Sequence, residues 1–291
     1  MRRLYVLGCS FTNYAWPTWA DLLGVEYDEF ENWAFPGLGN RAIVERLAEL
    51  HAKKNLTKDD TIVIQWSSHI RHDYHSGKVD EGTGVVGWKT GGSIFNYINS
   101  DIYDKKWLNR FWDERSYIMH TFNSIVLAQS LLSSIGCKWA MTSMGYIHLL
   151  NTDYPDSITG EKIEGLSNIW KDEPAMQVYK KTIFEDHRDR WIYPIGTFAW
   201  NSNIPSFRFL QLSDPTKRII DRHPSVSQHA AWLTLHLKPV LGLSQDLDIR
   251  SEKWIDIVNN IYDSSHYNFD HFCEEVFNKL KNERKVDYKG F

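Results

Sequence analysis

Arg2-Arg3-Leu4-Tyr5-Val6-Leu7-Gly8-Cys9-Ser10-Phe11-Thr12 opens the chain, and its reading decides the fold. Four large apolar or aromatic side chains, bounded by two arginines and a glycine, make a short buried strand that delivers a serine into a turn. Trp16, Trp19, Ala20, Leu22 and Leu23 then predict a helical face between Asn13 and Gly24. A serine at a strand–helix junction gains from the free N–H groups of the helix start, which favour negative charge. Glu26 to Trp33 reads as a short second strand. Asn40 to Lys53 is an amphipathic helix with Ile43, Leu47 and Leu50 on one face. After a polar connection, Asn55 to Asp60, the β-branched run Thr61 to Trp66 is a third strand. Strands alternating with helices imply βαβ units and a parallel sheet. The expected fold is therefore a three-layer α/β/α sandwich, with Ser10 at the C-terminal end of the first strand.

The alternation then breaks. Residues 72–113, rich in Gly, Asp, Lys and aromatics, read as an insertion over the strand ends. Arg115 to Ser134 predicts a helix closed by Gly136, and Cys137 to Thr142 a fourth strand. Residues 144–215 read as a second irregular insertion, and Ser225 to Leu237 as the last core helix. The expected organisation is one domain over 1–244 carrying both insertions. A helical extension over 245–291, with Trp254, Ile257, Val258, Phe272 and Val276, packs on it.

Composition narrows the function. With 291 residues and 42% hydrophobic content, the chain can bury a large core. A net charge of -4 with scattered basic residues gives no basic stripe, so no nucleic-acid partner is expected. The three cysteines, Cys9, Cys137 and Cys273, lack disulfide or zinc spacing. No apolar run approaches the ~18 residues of a membrane span, and the charged start is unlike a signal peptide, so a cytoplasmic protein is expected.

Far downstream lies Asp221-Arg222-His223-Pro224. A serine after a first strand and a late Asp-x-His-Pro are two halves of a Ser-His-Asp hydrolase, whose triad is defined by geometry and role rather than by chain order. Other constellations carry less. Glu185-Asp186-His187-Arg188-Asp189-Arg190 has metal-ligand types, but its alternating charge reads as a solvated segment. His69, His72 and His75 lie three apart in what reads as loop. His229 and His236 fall on the last core helix as surface or packing residues. Gly82-x-Gly84 and Gly91-Gly92 follow no strand, so no phosphate loop is supported.

Between the two halves stands Asn32-Trp33-Ala34-Phe35-Pro36-Gly37-Leu38-Gly39-Asn40. Together the three stretches resemble the SGNH/GDSL hydrolase superfamily, in Gly-Cys-Ser-Phe-Thr with Cys9 where the family often has Asp. The resemblance implies a flavodoxin-like core and an ester hydrolase without metal or organic cofactor. It makes Ser10 the nucleophile, His223 the general base and Asp221 its orienting acid. It assigns the oxyanion hole to the N–H groups of Ser10 and Gly37. A third donor follows strand three, where Ser67-Ser68-His69 stands in place of Gly-x-Asn. His69 is in register for that donor, and Ser68 after a one-residue slip. Aromatic content, with thirteen tryptophans, and the two insertions favour a carbohydrate O-acetyl or other short-chain acyl ester. Transfer of the acyl group to a sugar, or an inactive fold kept as a binding or assembly module, are the alternatives.

Overall fold

The computed structural model describes residues 1–79, 86–93, 105–111, 113–145, 147, 174–211, 214–221, 223–264 and 268–283. Its centre is a sheet of four parallel strands in the order β2-β1-β3-β6: β1 (Arg3–Leu7), β2 (Glu29–Asn32), β3 (Asp60–Trp66) and β6 (Lys138–Ser143). Every residue of β3 is buried, as a strand covered on both faces must be. A single parallel bridge, Met141 with Trp191, adds the start of a fifth position beside β6. Arg3 closes the N-terminal edge by gripping both oxygens of Asp60 at 2.6 and 2.8 Å.

Alternation along β1 divides the interior in two. Leu4 and Val6 join an apolar cluster on one face of the sheet, and Tyr5 and Leu7 join another on the opposite face. The Tyr5 side is roofed by α2 (Asn40–Lys54) and α4 (Glu114–Ile135), which contribute Ile43, Leu47, Leu50, Phe122, Ile125 and Leu132. A short helix α5 (Pro174–Tyr179), running into a π-helical turn at Lys180–Glu185, completes that layer. The Leu4 side is roofed by α1 (Trp19–Gly24), α7 (Val226–Trp232), α8 (Ile249–Ser264) and α9 (Phe269–Leu280). This is the three-layer α/β/α sandwich expected from the strand–helix alternation. The C-terminal helices do more than cover it, since Trp254, Val258, Phe272, Val276 and Leu280 are core residues.

Several boundaries differ from expectation, for local reasons. Helix α1 starts at Trp19, not near Asn13. Pro17 biases Trp16 away from helical backbone, and Thr18 then starts the helix through a capping box with Asp21. Residues 71–79, read above as loop, are strand β4 (Arg71–Val79), which pairs antiparallel with β5 (Val86–Ser93). A helix α3 (Lys105–Phe111) follows. Within residues 144–215, helix α6 (Ile195–Asn201) precedes β7 (Arg208–Gln211), which pairs antiparallel with β8 (Asp214–Ile220). Ser225 opens α7 with a second capping box, through Gln228.

Chain order β1-to-β2 on one side and β3 on the other makes a switch point between β1 and β3. In open α/β sheets ligands bind outside the carboxyl ends of the strands at such a point. Ser10 follows β1 there, and Ser67-Ser68-His69 follow β3.

Candidate active site

The turn carrying Ser10 is fastened from three directions. Thr12 and Asn13 donate backbone N–H groups to Cys9 O at 2.9 and 3.1 Å. From the β2 side, Asn32 Nδ2 donates to Thr12 O at 2.9 Å, and Asn13 Nδ2 donates to Ala34 O at 3.0 Å. From β3, Gln65 Oε1 accepts from Thr12 Oγ1 at 3.1 Å, from Cys9 N at 3.4 Å and from Cys9 Sγ at 3.3 Å. A Cβ on Gly8 would lie 2.3 Å from Thr12 Oγ1 and 3.0 Å from Gln65 Oε1, so the close approach of turn to strand needs glycine. Ser10 itself is 6% exposed. Cys9 is fully buried in the apolar cluster on the Leu4 face.

The late acid–base pair packs on the residues just after that turn. Asp221 Oδ1 accepts twice from His223, from its backbone N–H at 2.7 Å and at Nδ1 at 2.8 Å. Asp221 Oδ2 accepts from the Tyr14 hydroxyl at 3.1 Å. The Tyr14 ring stacks on the His223 ring with centroids 3.7 Å apart and planes 21° from parallel. Phe11 meets the same imidazole edge-on at 5.2 Å. Trp16 Nε1 donates to Pro224 O at 2.9 Å. Phe11, Tyr14 and Trp16 thus hold Asp221, His223 and Pro224 against the chain just after Ser10. With Nδ1 committed to Asp221, Nε2 is the imidazole nitrogen left for chemistry. Neither Nε2 nor Ser10 Oγ makes a hydrogen bond to a described residue.

Two neighbours shape the electrostatics. Burial, then the charge of Asp221, raises the Tyr14 phenol well above its ordinary value, so it stays a neutral donor. His229 is completely buried on α7, and neither of its ring nitrogens has a partner. Burial first, and His223 second, depress its pKa to about 3, so it stays uncharged.

The other expected site residues divide. Gly37 has φ 88° at the third position of a Phe35-Pro36-Gly37-Leu38 turn closed by Leu38 N donating to Phe35 O at 3.2 Å. That is a type II turn, where only glycine is comfortable. The Ser67 backbone is clamped by Asn40, whose Oδ1 accepts from Ser67 N at 2.8 Å and whose Nδ2 donates to Ser67 O at 3.1 Å. The Ser67 N–H is therefore already used, while its hydroxyl is buried without a partner. Ser68 Oγ accepts weakly from Ile70 N at 3.4 Å. His69 lines a cavity shared by α2, β4 and α4.

Residue types alone do not single out Tyr14, Trp16, Asn40 and Gln65, although they position the site. Asn40 ends the quoted Asn32–Asn40 stretch, and its place at the start of α2 is the signal that points to it. Among the described residues no group of three or more His, Cys, Asp or Glu side chains could hold a metal ion. Arg190, from the 185–190 run, lies 4.8 Å over the Trp139 ring. Gly91 and Gly92 belong to β5, whereas Gly82, Gly84 and Trp170 lie outside the described residues. No helix among the described residues is long and apolar enough to cross a membrane.

No protein-family model matches the chain, and no curated protein matches it. A solved structure of a member of the lipolytic protein G-D-S-L family from Veillonella parvula DSM 2008 is similar at 13% identity. The match covers 80% of this chain and 94% of that one, with a TM-score of 0.41.

Proposed function

We propose that the protein is a serine ester hydrolase of the SGNH type. The observation that carries this reading is the stacking of the His223–Asp221 pair on Tyr14, four residues beyond Ser10. Ser10 Oγ attacks the acyl carbonyl, and its proton passes to His223 Nε2. Collapse of the tetrahedral intermediate expels the alcohol, which takes that proton, and leaves an acyl-serine. Water, deprotonated by His223, then releases the acid and restores Ser10. Asp221 fixes the imidazole tautomer and stabilises its charged form. The N–H groups of Ser10 and Gly37 hold the oxyanion. Ser68 or His69 supplies a third donor, because Asn40 already occupies the Ser67 N–H and the Ser67 hydroxyl is buried. Losing one such donor costs about 3 kcal/mol of transition-state stabilisation. A short acyl group, such as acetyl on a carbohydrate, suits the aromatic surroundings of Phe11, Tyr14 and Trp200, whose ring lies 6.5 Å from that of Phe11.

The test is labelling with a fluorophosphonate probe, with the adduct located by peptide mass mapping. A label on Ser10, together with turnover of p-nitrophenyl acetate, supports the reading. Absence of both refutes it and leaves a binding module. An acyl-serine that reacts faster when a sugar is added identifies a transferase.

A further inference from the structure

Among the described side chains Trp200 is the one exposed tryptophan, with 37% of its surface open. It lies in the last turn of α6, beside the candidate site and outside its bond-breaking chemistry. Its ring meets that of Phe11 at 6.5 Å and 74°, and Phe11 in turn meets the imidazole of His223 at 5.2 Å. We propose that the indole of Trp200 is the platform for the alcohol half of the ester, and that this alcohol is a pyranose sugar. The sugar's part as leaving alcohol rests on the esterase reading; its binding to the ring does not.

The ring is fixed relative to the imidazole by two routes. At the start of α6, a Cβ on Gly196 would lie 2.2 Å from Met144 O and 2.9 Å from Phe11 Cε2, so the helix rests directly on the chain leaving β6 and on Phe11. At its far end, Gln228 Nε2 donates to Ala199 O at 2.8 Å and to Ile204 O at 3.0 Å, on either side of Trp200 in the chain. Gln228 is buried, and its Oε1 accepts from Ser225 N at 2.9 Å, two residues beyond His223. A ring held before its ligand arrives lowers the ordering cost of binding. The chemistry selects the half of the ester that meets it. His223 Nε2 hands its proton to the leaving alcohol, so the alcohol departs on the imidazole side, where Phe11 and Trp200 stand. The border of the ring selects the kind of alcohol. Asn201-Ser202-Asn203 follow Trp200, with both asparagines exposed and the serine half-buried. A fatty chain needs a continuous apolar channel. A pyranose has apolar C–H faces and a rim of hydroxyls, which match a flat ring in a polar border. The indole N–H makes no hydrogen bond to a described residue and can donate to that rim.

The experiment follows the Trp200 indole N–H signal by NMR, identified by its loss in Trp200→Phe. The full chain is titrated with methyl glucoside, methyl xyloside and methyl galactoside, and with sorbitol, which has the hydroxyls but no ring face. A saturable shift with at least one pyranoside, and none with sorbitol, is expected. Trp200→Ala should then lower kcat/KM for an acetylated form of that pyranoside about tenfold more than for ethyl acetate, through KM. Trp200→Phe keeps a flat face and should lose less. If Trp200→Ala fails to fold, by circular dichroism, Trp200→Leu takes its place. A signal that no pyranoside saturates, a shift that sorbitol reproduces, or equal losses on both esters in a folded variant overturns the proposal. Pyranoside binding without probe labelling of Ser10 leaves the platform standing and removes the esterase. Labelling without pyranoside binding does the reverse.

Discussion

At the scale of single residues, neighbours on the chain have different work. Cys9 faces the core and Gln65, whereas Ser10 sits in the turn beneath His223's ring partners. Ser10→Ala should therefore lower p-nitrophenyl acetate hydrolysis by several orders of magnitude with an unchanged melting curve. Cys9→Ala should keep activity and cost about 1 kcal/mol of stability in urea. Tyr14 offers a finer test. Tyr14→Phe keeps the stack on His223 and removes the hydroxyl from Asp221, which should cost about 1–3 kcal/mol in thermal or urea melts. Tyr14→Leu removes both contacts and should reduce turnover more than Tyr14→Phe does. A Tyr14→Phe protein as stable as wild type would show that the Asp221 contact is dispensable. The closeness of Asp221 and His223 was legible from their two-residue spacing and complementary chemistry. Tyr14 was not: a tyrosine between Asn13 and Ala15 carries no periodicity, and its partner lies 207 positions away.

At the scale of elements, α7 carries a pH liability. Its His229 has a native pKa near 3, below the roughly 6.5 of an unfolded histidine. Above that unfolded value both states are neutral and the residue adds no pH dependence. Between about 6.5 and 3 the unfolded chain binds a proton that the native state refuses. Stability then falls with pH by up to about 1.4 kcal/mol per unit. His229→Leu should flatten the urea-midpoint profile over pH 6.5 to 4 relative to wild type; an unchanged slope would mean the loss arises elsewhere. Ser225→Ala, which removes the cap of the same helix, should cost about 1 kcal/mol. Most elements of the core were legible because burial enforces pattern: β3 is buried throughout with Ile62, Val63 and Ile64 at its centre, and α2 shows Ile43, Leu47 and Leu50 on one side. β4 was not, since His72, Asp73 and His75 lack strand-forming side chains and the strand is held by pairing with β5. The true start of α1 depended on Pro17 and the Thr18 cap, a stronger signal than the tryptophan upstream of it, Trp16.

At the scale of the whole molecule, the last helix supports the first turn. Phe272 of α9 lies 5.7 Å from the ring of Trp16, which holds Pro224, and 5.2 Å from that of Phe207. Phe272→Ala should cost about 3–5 kcal/mol and depress activity along with stability. Truncation after residue 244 should give a protein without a cooperative unfolding transition; a truncated chain that melts like the full one would make the C-terminal helices a separable appendage. The bond from Tyr14 to Asp221 also has a meaning in time. A ribosome adding about 5–20 residues per second needs roughly 10–40 s to reach the second partner after the first. During that interval the turn after β1 stands without the Asp221–His223 pair that later packs on Tyr14. Whatever chemistry the finished site performs waits for the later segment to be made.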